Sequence, residues 1–323
     1  MNVSLKEKLK KQPPNWRFPD HSGLCERTLD CLQLSVKEIL EWQHQRELIK
    51  VFLNPLDCTS TGLLLRRKQP VLNQGWYITK NDSIPFEYFK HKVQSEVKQN
   101  GYCLIFFNPY HMPFTNYYER YHLKHWSLVI DLKTDGLVLV DEAGKKPIFE
   151  QFLGEIPWEA LEQNWEISAE FGFATLAQNN VNTNWDDEFT YMIQQSVNQM
   201  QQEGLQHLQN FVSELKRTTH HQIITNLETL EFDVHYFRRL RELWKNAIHQ
   251  RVIPTPYIQP GWIEEIHHLC NTWSLVMGVL MKWKRQPERD YRSKLLGYLK
   301  DAIQSETDLI TEWANMLRSE KDE

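Results

Sequence analysis

The spacing of apolar residues changes along the chain, and the first half mixes helical and strand patterns. A helix is predicted from Leu24 to about Trp42, with Ser22 as its N-cap. Its apolar positions recur at helical intervals: Leu29, Leu32, Val36, Ile39 and Leu40. A second helix is predicted over 85–100, because Asn100–Gly101 is a typical helix end. Residues 1–20 contain three prolines near their end, which favours an extended arm.

Continuous apolar runs of strand length occupy the middle of the chain. The run YCLIFFN (102–108) is typical of a buried strand. HWSLVIDL (125–132) and GLVLVDE (136–142) follow, and Asp135–Gly136 between them is a hairpin signal. These three runs predict one antiparallel sheet. The remaining candidates are two short strands, GLLLRR (62–67) and GWYITK (75–80), and short helices over 148–165.

The pattern becomes entirely helical after a polar, turn-rich stretch at 179–187, which is the predicted linker. Helices are predicted over 189–215 and near 228–250, 261–284 and 289–318. The sequence therefore predicts an α+β domain over 1–180 and an α-helical bundle domain over 181–323. Such a bundle could form a homodimer interface.

Composition narrows the classes of function. The 323 residues carry a formal net charge of −5, which argues against nucleic acid as the main partner. We expect no membrane partner, because no apolar run is long enough to span a bilayer, and the N-terminus lacks a secretory signal. The five irregularly spaced cysteines are expected to be reduced thiols in the cytoplasm. Neither a cofactor nor a metal is expected.

Three residues in these elements form a candidate catalytic set. Cys25 opens the first predicted helix, where unpaired N–H groups would stabilise a thiolate. His125 opens one strand of the predicted hairpin and Asp141 closes the other, so the two side chains should be neighbours. Each residue alone also has an ordinary structural interpretation. Cys25 could be a small buried apolar residue, His125 a packed ring and Asp141 a turn residue. Cys58, in a loop, is the second candidate nucleophile.

The other three cysteines are predicted to be structural. Cys31 is expected to face the core from within the first helix. Cys103 and Cys270 lie among apolar residues of a strand and of a helix.

The order of Cys25, His125 and Asp141 resembles the papain-like cysteine-peptidase fold of bacteriocin-processing peptidases, whose Asp follows the His at the same spacing of 16 residues. The stretch from 106 to 132 is similar to the butirosin-biosynthesis acyltransferase family, which has such a domain followed by a helical one. The resemblance implies acyl transfer from an acyl carrier protein thioester, through Cys25, to a small-molecule amine or hydroxyl acceptor in antibiotic biosynthesis. His125 would be the base, and Asp141 would orient it.

The resemblance also implies a place for substrate. Peptidases of this fold carry a glutamine oxyanion donor before the cysteine, and position 19 is Pro, so His21, Ser22 or the Cys25 N–H group is expected to serve. The loop before His125 is crowded with Tyr110, Tyr117, Tyr118 and Tyr121, which with His122 would line the cleft or, alternatively, pack their rings on the sheet. A thioesterase or peptidase on the same scaffold and a non-catalytic scaffold protein remain as alternatives.

Overall fold

The structure is a computed structural model that describes residues 3–142, 152–168, 171–179 and 184–319. Within these ranges the chain mixes α-helices with antiparallel sheets, as predicted. The chain divides into two compact units. Unit 1 comprises residues 1–48 and 75–181, and unit 2 comprises residues 49–74 and 182–323. The predicted boundary near 180 is close to the division between residues 181 and 182, whereas 49–74 is placed with the helical unit.

Helices and strands are both numbered in chain order. The helices are α1 (Leu5–Lys11), α2 (Cys31–Trp42), α3 (Leu48–Phe52), α4 (Phe86–Asn100), α5 (Trp158–Ile167), α6 (Trp185–Gln199), α7 (Leu205–Arg217), α8 (His220–His249), α9 (Pro260–Arg285) and α10 (Arg292–Ser319). The strands are β1 (Thr59–Thr61), β2 (Leu64–Arg66), β3 (Trp76–Asp82), β4 (Cys103–Phe107), β5 (His125–Lys133), β6 (Gly136–Asp141), β7 (Phe152–Pro157) and β8 (Gly172–Gln178). Short 3₁₀ turns occur at 109–111 and 255–257.

Unit 1 is built on an antiparallel sheet with the strand order β3-β8-β4-β5-β6-β7. The β5–β6 hairpin turns between Lys133 and Gly136, as predicted. A register shift between Val129 and Asp131 marks a bulge in β5. One face of the sheet contributes Val129 and Leu139 to a core that also contains apolar residues of α4 and α5. Strand alternation puts His125, Ser127 and Asp141 on this same face, at the ends of β5 and β6.

Four predictions for unit 1 are wrong in detail. Residues 5–11 form α1 rather than an extended arm, because Ser4 and Glu7 make a capping box. The first strong helix begins at Cys31 and not at Leu24. Residues 152–157 form β7, where a helix was expected, although α5 follows it. Strand β8 was not predicted at all. The first residues of the short helices predicted over 148–165, at 148–151, lie outside the described residues. So do residues 180–183 of the predicted linker.

Unit 2 contains α6 to α10 and the β1–β2 hairpin. The pair α6 and α7 is a single helical run interrupted by a π turn at Met200–Gly204. Gly204 is needed there because an added Cβ would lie 2.6 Å from Met200 Sδ. The core is rich in fully buried tryptophans: Trp244, Trp262, Trp273, Trp283 and Trp313. Arg241 and Glu306 form a buried ion pair inside it, with 2.8 Å between Nε and Oε1.

Among the described residues, no helix has the length and apolar character needed to cross a bilayer.

Candidate functional site

The α2 helix begins with a capping box that places Cys31 at its first position. The Asp30 side chain accepts a hydrogen bond from the Gln33 N–H group at 2.9 Å, and Gln33 Oε1 accepts one from the Asp30 N–H group at 3.1 Å. The first N–H groups of a helix have no acceptor within the helix and carry its positive dipole end. Cys31 therefore lies where a negative charge on sulfur, or on an attacked carbonyl, would be favoured.

Cys25 does not occupy that position, and this part of the sequence interpretation is corrected. Its N–H group donates to Thr28 Oγ1 at 3.0 Å, and its carbonyl accepts from Leu29, so 25–29 form a tight turn before α2. Only 3% of Cys25 is exposed, and burial raises the pKa of its thiol, with a smaller opposing effect of Arg27. The structure brings His125 together with Cys31 and with Asp141, not with Cys25.

His125 and Asp141 are neighbours, as the hairpin predicted. His125 Nε2 lies 2.8 Å from Asp141 Oδ1 and 2.9 Å from Oδ2, and both side chains are buried. Ser127 Oγ donates a second hydrogen bond to Asp141 Oδ2. The register explains this contact, since Ser127 and Asp141 directly precede and follow the paired residues Leu128 and Val140. Asp141 is thus held by Ser127 and in turn fixes the orientation of the His125 ring.

Besides Asp141, Cys31 and Glu142 also lie close to the His125 ring. Cys31 Sγ, a ring nitrogen of His125 and a carboxylate oxygen of Glu142 lie within 4.8 Å of one another. Cys31 is partly exposed, whereas the other four cysteines are buried. Glu142, directly after β6, is also partly exposed. His125 and Asp141 are buried, and Cys31 and Glu142 are the partly exposed residues of this cluster.

Burial and neighbouring charges shift the pKa values of both His125 and Cys31. Burial lowers the pKa of His125, but the charge and hydrogen bond of Asp141, followed by Cys31, raise it more in total, so it lies well above its ordinary value. Burial raises the pKa of Cys31, and Glu142 and Asp30 act in the same direction. His125 opposes them through a hydrogen bond and its charge. The imidazolium held by Asp141 is thus what favours ionisation of the sulfur.

An aromatic loop covers the histidine. The Tyr117 ring lies 5.2 Å from the His125 ring and 5.7 Å from the Tyr121 ring, both edge-on. Tyr110 instead stacks on His122 at 3.9 Å, and His122 Nδ1 lies 3.2 Å from Asn108 Nδ2. Of the predicted cleft residues, Tyr121 is thus linked to His125 through Tyr117, whereas Tyr110 and His122 form a separate pair.

Tyr110 also lines an open cavity of about 460 Å³ with other residues of the loop and of α5. Its remaining lining residues are His111, Pro113, Tyr118, Glu119, Ala160, Gln163, Asn164 and Ile167. Cys31, His125 and Asp141 are not among them, so Tyr110 lies at this cavity and not at the cluster around the thiol.

His21 and Ser22 lie in a turn, not at the start of a helix. The Ser22 N–H group donates to Asp20 Oδ1 at 2.8 Å, and its hydroxyl binds the same oxygen. Asp20 forms an ion pair with Lys37 of α2 at 2.7 Å. This network attaches the segment before α2 to the helix, which is a structural role for Ser22. The helix N-terminus at Cys31 replaces these residues as the candidate oxyanion site.

Burial raises the pKa of the other cysteines as it does that of Cys31, but His125 opposes it only at Cys31. Cys58, the second candidate, is buried in unit 2, and burial raises the pKa of its thiol. Burial has the same effect on the pKa of Cys103 in β4 and of Cys270 in α9. Cys103 and Cys270 are buried, as expected for structural residues.

Cys31, His125 and Glu142 also belong to the residue types that bind zinc. Their ligand atoms lie within 4.8 Å of one another, and ligand atoms of a tetrahedral zinc ion are roughly 3.5 Å apart. The Asp141 contact would suit a metal-bound His125 as well as a catalytic one. Assays of the thiol therefore need a chelator control.

Sequence reasoning missed Cys31, Ser127 and Glu142, and for the first two a signal existed. The pattern Asp30-x-x-Gln33 directly before an apolar periodic run is a capping-box signature, which would have placed Cys31 at the helix start. Ser127 lies two residues after His125 and so shares its face of the strand. Glu142 carries no comparable signal, because the conformation of the chain after β6 decides its position.

No protein-family model matches this sequence, and a comparison with curated proteins finds no significant match.

Proposed function

We propose that unit 1 is a cysteine-dependent acyltransferase in which Cys31 carries the acyl group, His125 is the general base and acid, and Asp141 orients His125. One observation carries the proposal: the sulfur of Cys31, at a helix N-terminus, lies within 4.8 Å of a ring nitrogen of His125, and His125 Nε2 is 2.8 Å from the buried carboxylate of Asp141. Nucleophile, base and orienting group in this order are the arrangement that activates a weak nucleophile.

The proposed first half-reaction transfers the acyl group to the protein. The Cys31 thiolate attacks the carbonyl carbon of a thioester, and the N-terminal N–H groups of α2 stabilise the oxyanion. The donor thiol leaves with a proton from His125. In the second half-reaction an amine attacks the Cys31 thioester, His125 accepts a proton from the amine, and the Cys31 thiol is regenerated.

The finer fold and the partners belong to the same proposal. A helix with cysteine at its N-terminus and an antiparallel sheet with histidine and aspartate on adjacent strands support a papain-like fold for unit 1. The resemblance of the 106–132 stretch to the butirosin-biosynthesis acyltransferases supports an acyl carrier protein as donor and a small amine as acceptor. Unit 2 would then correspond to the helical domain that follows the catalytic domain in that family.

The test follows both products of the reaction. The full chain, with a chelator present, is incubated with an acyl carrier protein thioester and an amine such as propylamine. Amide and free acid are then quantified. The proposal predicts that amide is formed in excess over acid and that the Cys31→Ser variant forms neither above background. Predominant free acid would show a hydrolase on the same site, and no turnover of any thioester would leave the scaffold alternative.

A further inference from the structure

Glu142 is a carboxylate at the site that the proposed mechanism does not use. One of its oxygens lies within 4.8 Å of both the Cys31 sulfur and a ring nitrogen of His125. Asp141, the preceding residue, is buried against His125 and Ser127, so the two adjacent acids have different surroundings. Glu142 is partly exposed, whereas Asp141 is fully buried.

Amide formation from an alkyl ammonium ion needs a proton acceptor in addition to His125. An alkyl amine is an ammonium ion at neutral pH and has no lone pair with which to attack. It must lose one proton before attack and a second as the amide forms. His125 can accept one proton and return it to the departing Cys31 sulfur, so the other proton needs a separate acceptor.

We propose that Glu142 binds the ammonium group of the acceptor amine and takes its first proton, which makes the site selective for cationic amines over water. The inference rests on the proposed function, since it assigns the acceptor class of the same acyl-enzyme. A carboxylate next to the acyl sulfur concentrates cations there and gives water no comparable advantage.

The proton balance closes with these groups alone. Glu142 takes a proton from the ammonium ion, and the free amine nitrogen attacks the carbonyl carbon of the Cys31 thioester. A C–N bond forms and the C–S bond breaks, while His125 moves the second amine proton to the Cys31 sulfur. The acyl-enzyme and the ammonium ion thus become amide and free thiol. Glu142 then releases its proton to solvent.

A further observation shows that the charge of Glu142 acts at the sulfur. After burial and the opposing effects of His125, Glu142 is the next contributor to the raised pKa of Cys31. A bound ammonium ion would cancel this charge. Glu142 is therefore close enough to the Cys31 sulfur that a cation bound to Glu142 would affect the pKa of this thiol.

The experiment compares two nucleophiles on one acyl-enzyme. The full chain is acylated with a carrier-protein thioester, excess donor is removed, and loss of the adduct is followed by intact mass. The acceptors are propylamine, which is an ammonium ion at neutral pH, and hydroxylamine, which is uncharged there. The readout is the ratio of the two deacylation rates, so any common change in acyl-enzyme reactivity cancels.

The Glu142→Gln variant is expected to lower the propylamine-to-hydroxylamine ratio by roughly tenfold or more, the scale of a lost proton acceptor. The matched control, Glu162→Gln, removes an exposed carboxylate of α5 and should keep the wild-type ratio. An unchanged ratio in Glu142→Gln, or an equal decrease in Glu162→Gln, overturns the role of Glu142. Absence of any acyl adduct on the wild-type chain instead contradicts the proposed function itself, so the two failures are distinguishable.

Discussion

At the residue scale, the candidate site depends on the buried carboxylate of Asp141 and its hydrogen bond with His125. The hairpin signal at Asp135–Gly136 made the meeting of His125 and Asp141 predictable, because the strand ends follow from the turn. Cys31, the proposed nucleophile, was not predicted from local signals in this way. Ser22–Gly23 and Asp30 are both acceptable helix starts, so the sequence did not place Cys31 at the start of a helix. The structure selects Asp30 because Gln33 completes its capping box.

Asp141→Asn should slow acylation of Cys31 by a factor on the order of 10²–10⁴, the range for an orienting carboxylate of a catalytic histidine. The amide keeps the shape but removes the charge that holds the imidazolium. Single-turnover acylation followed by intact mass measures this rate. Asp135→Asn removes an exposed carboxylate from the turn of the same hairpin and should leave the rate within about twofold. Equal rates in both variants would contradict the role of Asp141.

The contact between His125 and Asp141 also makes the stability of the fold depend on pH. Because the pKa of His125 is raised in the folded protein, its protonated form stabilises the fold fully below the ordinary value of about 6.5. This contribution is lost as the pH rises through the higher folded pKa. The difference in unfolding free energy between wild type and Asp141→Asn should therefore shrink as the pH increases above about 6.5. Urea titrations at several pH values measure it, and a difference that grows with pH would contradict this account.

At the element scale, the β5–β6 hairpin carries the proposed base and the residue proposed to orient it, and its position depends on close packing with β7. Gly136 pairs with Pro157, and a Cβ added to Gly136 would lie only 2.3 Å from the Ile156 carbonyl oxygen. The sequence predicted the hairpin from local residues. It did not predict β7 or β8, because both strands depend on distant partners rather than on their own apolar pattern.

Gly136→Ala should destabilise unit 1 by about 1–3 kcal/mol, since β7 must move away to admit the methyl group. Hydrogen exchange of the β6 amides measures this locally. Gly297→Ala is the matched control, because nothing lies within 4 Å of a Cβ added at this position in the second turn of α10. That substitution should stabilise the helix by up to about 1 kcal/mol. Unchanged protection of β6 in Gly136→Ala would show that the sheet tolerates the contact.

At the scale of the whole molecule, the division into units is not a simple cut of the chain. Residues 49–74 belong to unit 2, although they lie between two segments of unit 1. The Leu56 N–H group donates to Ser196 Oγ at 2.8 Å, and Trp244 Nε1 donates to the Asn54 carbonyl at 2.9 Å. The sequence predicted one boundary from a polar stretch. The inserted segment has no such composition signal, because its apolar residues suit either core.

A fragment of residues 1–180 should therefore aggregate or express poorly. It would expose Leu56 and Leu65, each at most 1% exposed in the full chain, without the helices that cover them. Size-exclusion chromatography of the fragment beside the full chain tests this expectation. A monodisperse fragment that is still acylated would contradict the assignment of 49–74 to unit 2.

The central claim is that the thiol of Cys31 is the one that reacts. The most direct measurement maps the acylated residue by peptide mass after a single turnover with a carrier-protein thioester, in the wild type and in the Cys25→Ser and Cys31→Ser variants. The account predicts an adduct on the peptide containing Cys31 in the wild type and in Cys25→Ser, and none in Cys31→Ser. An adduct on Cys25, or one that survives in Cys31→Ser, would contradict it.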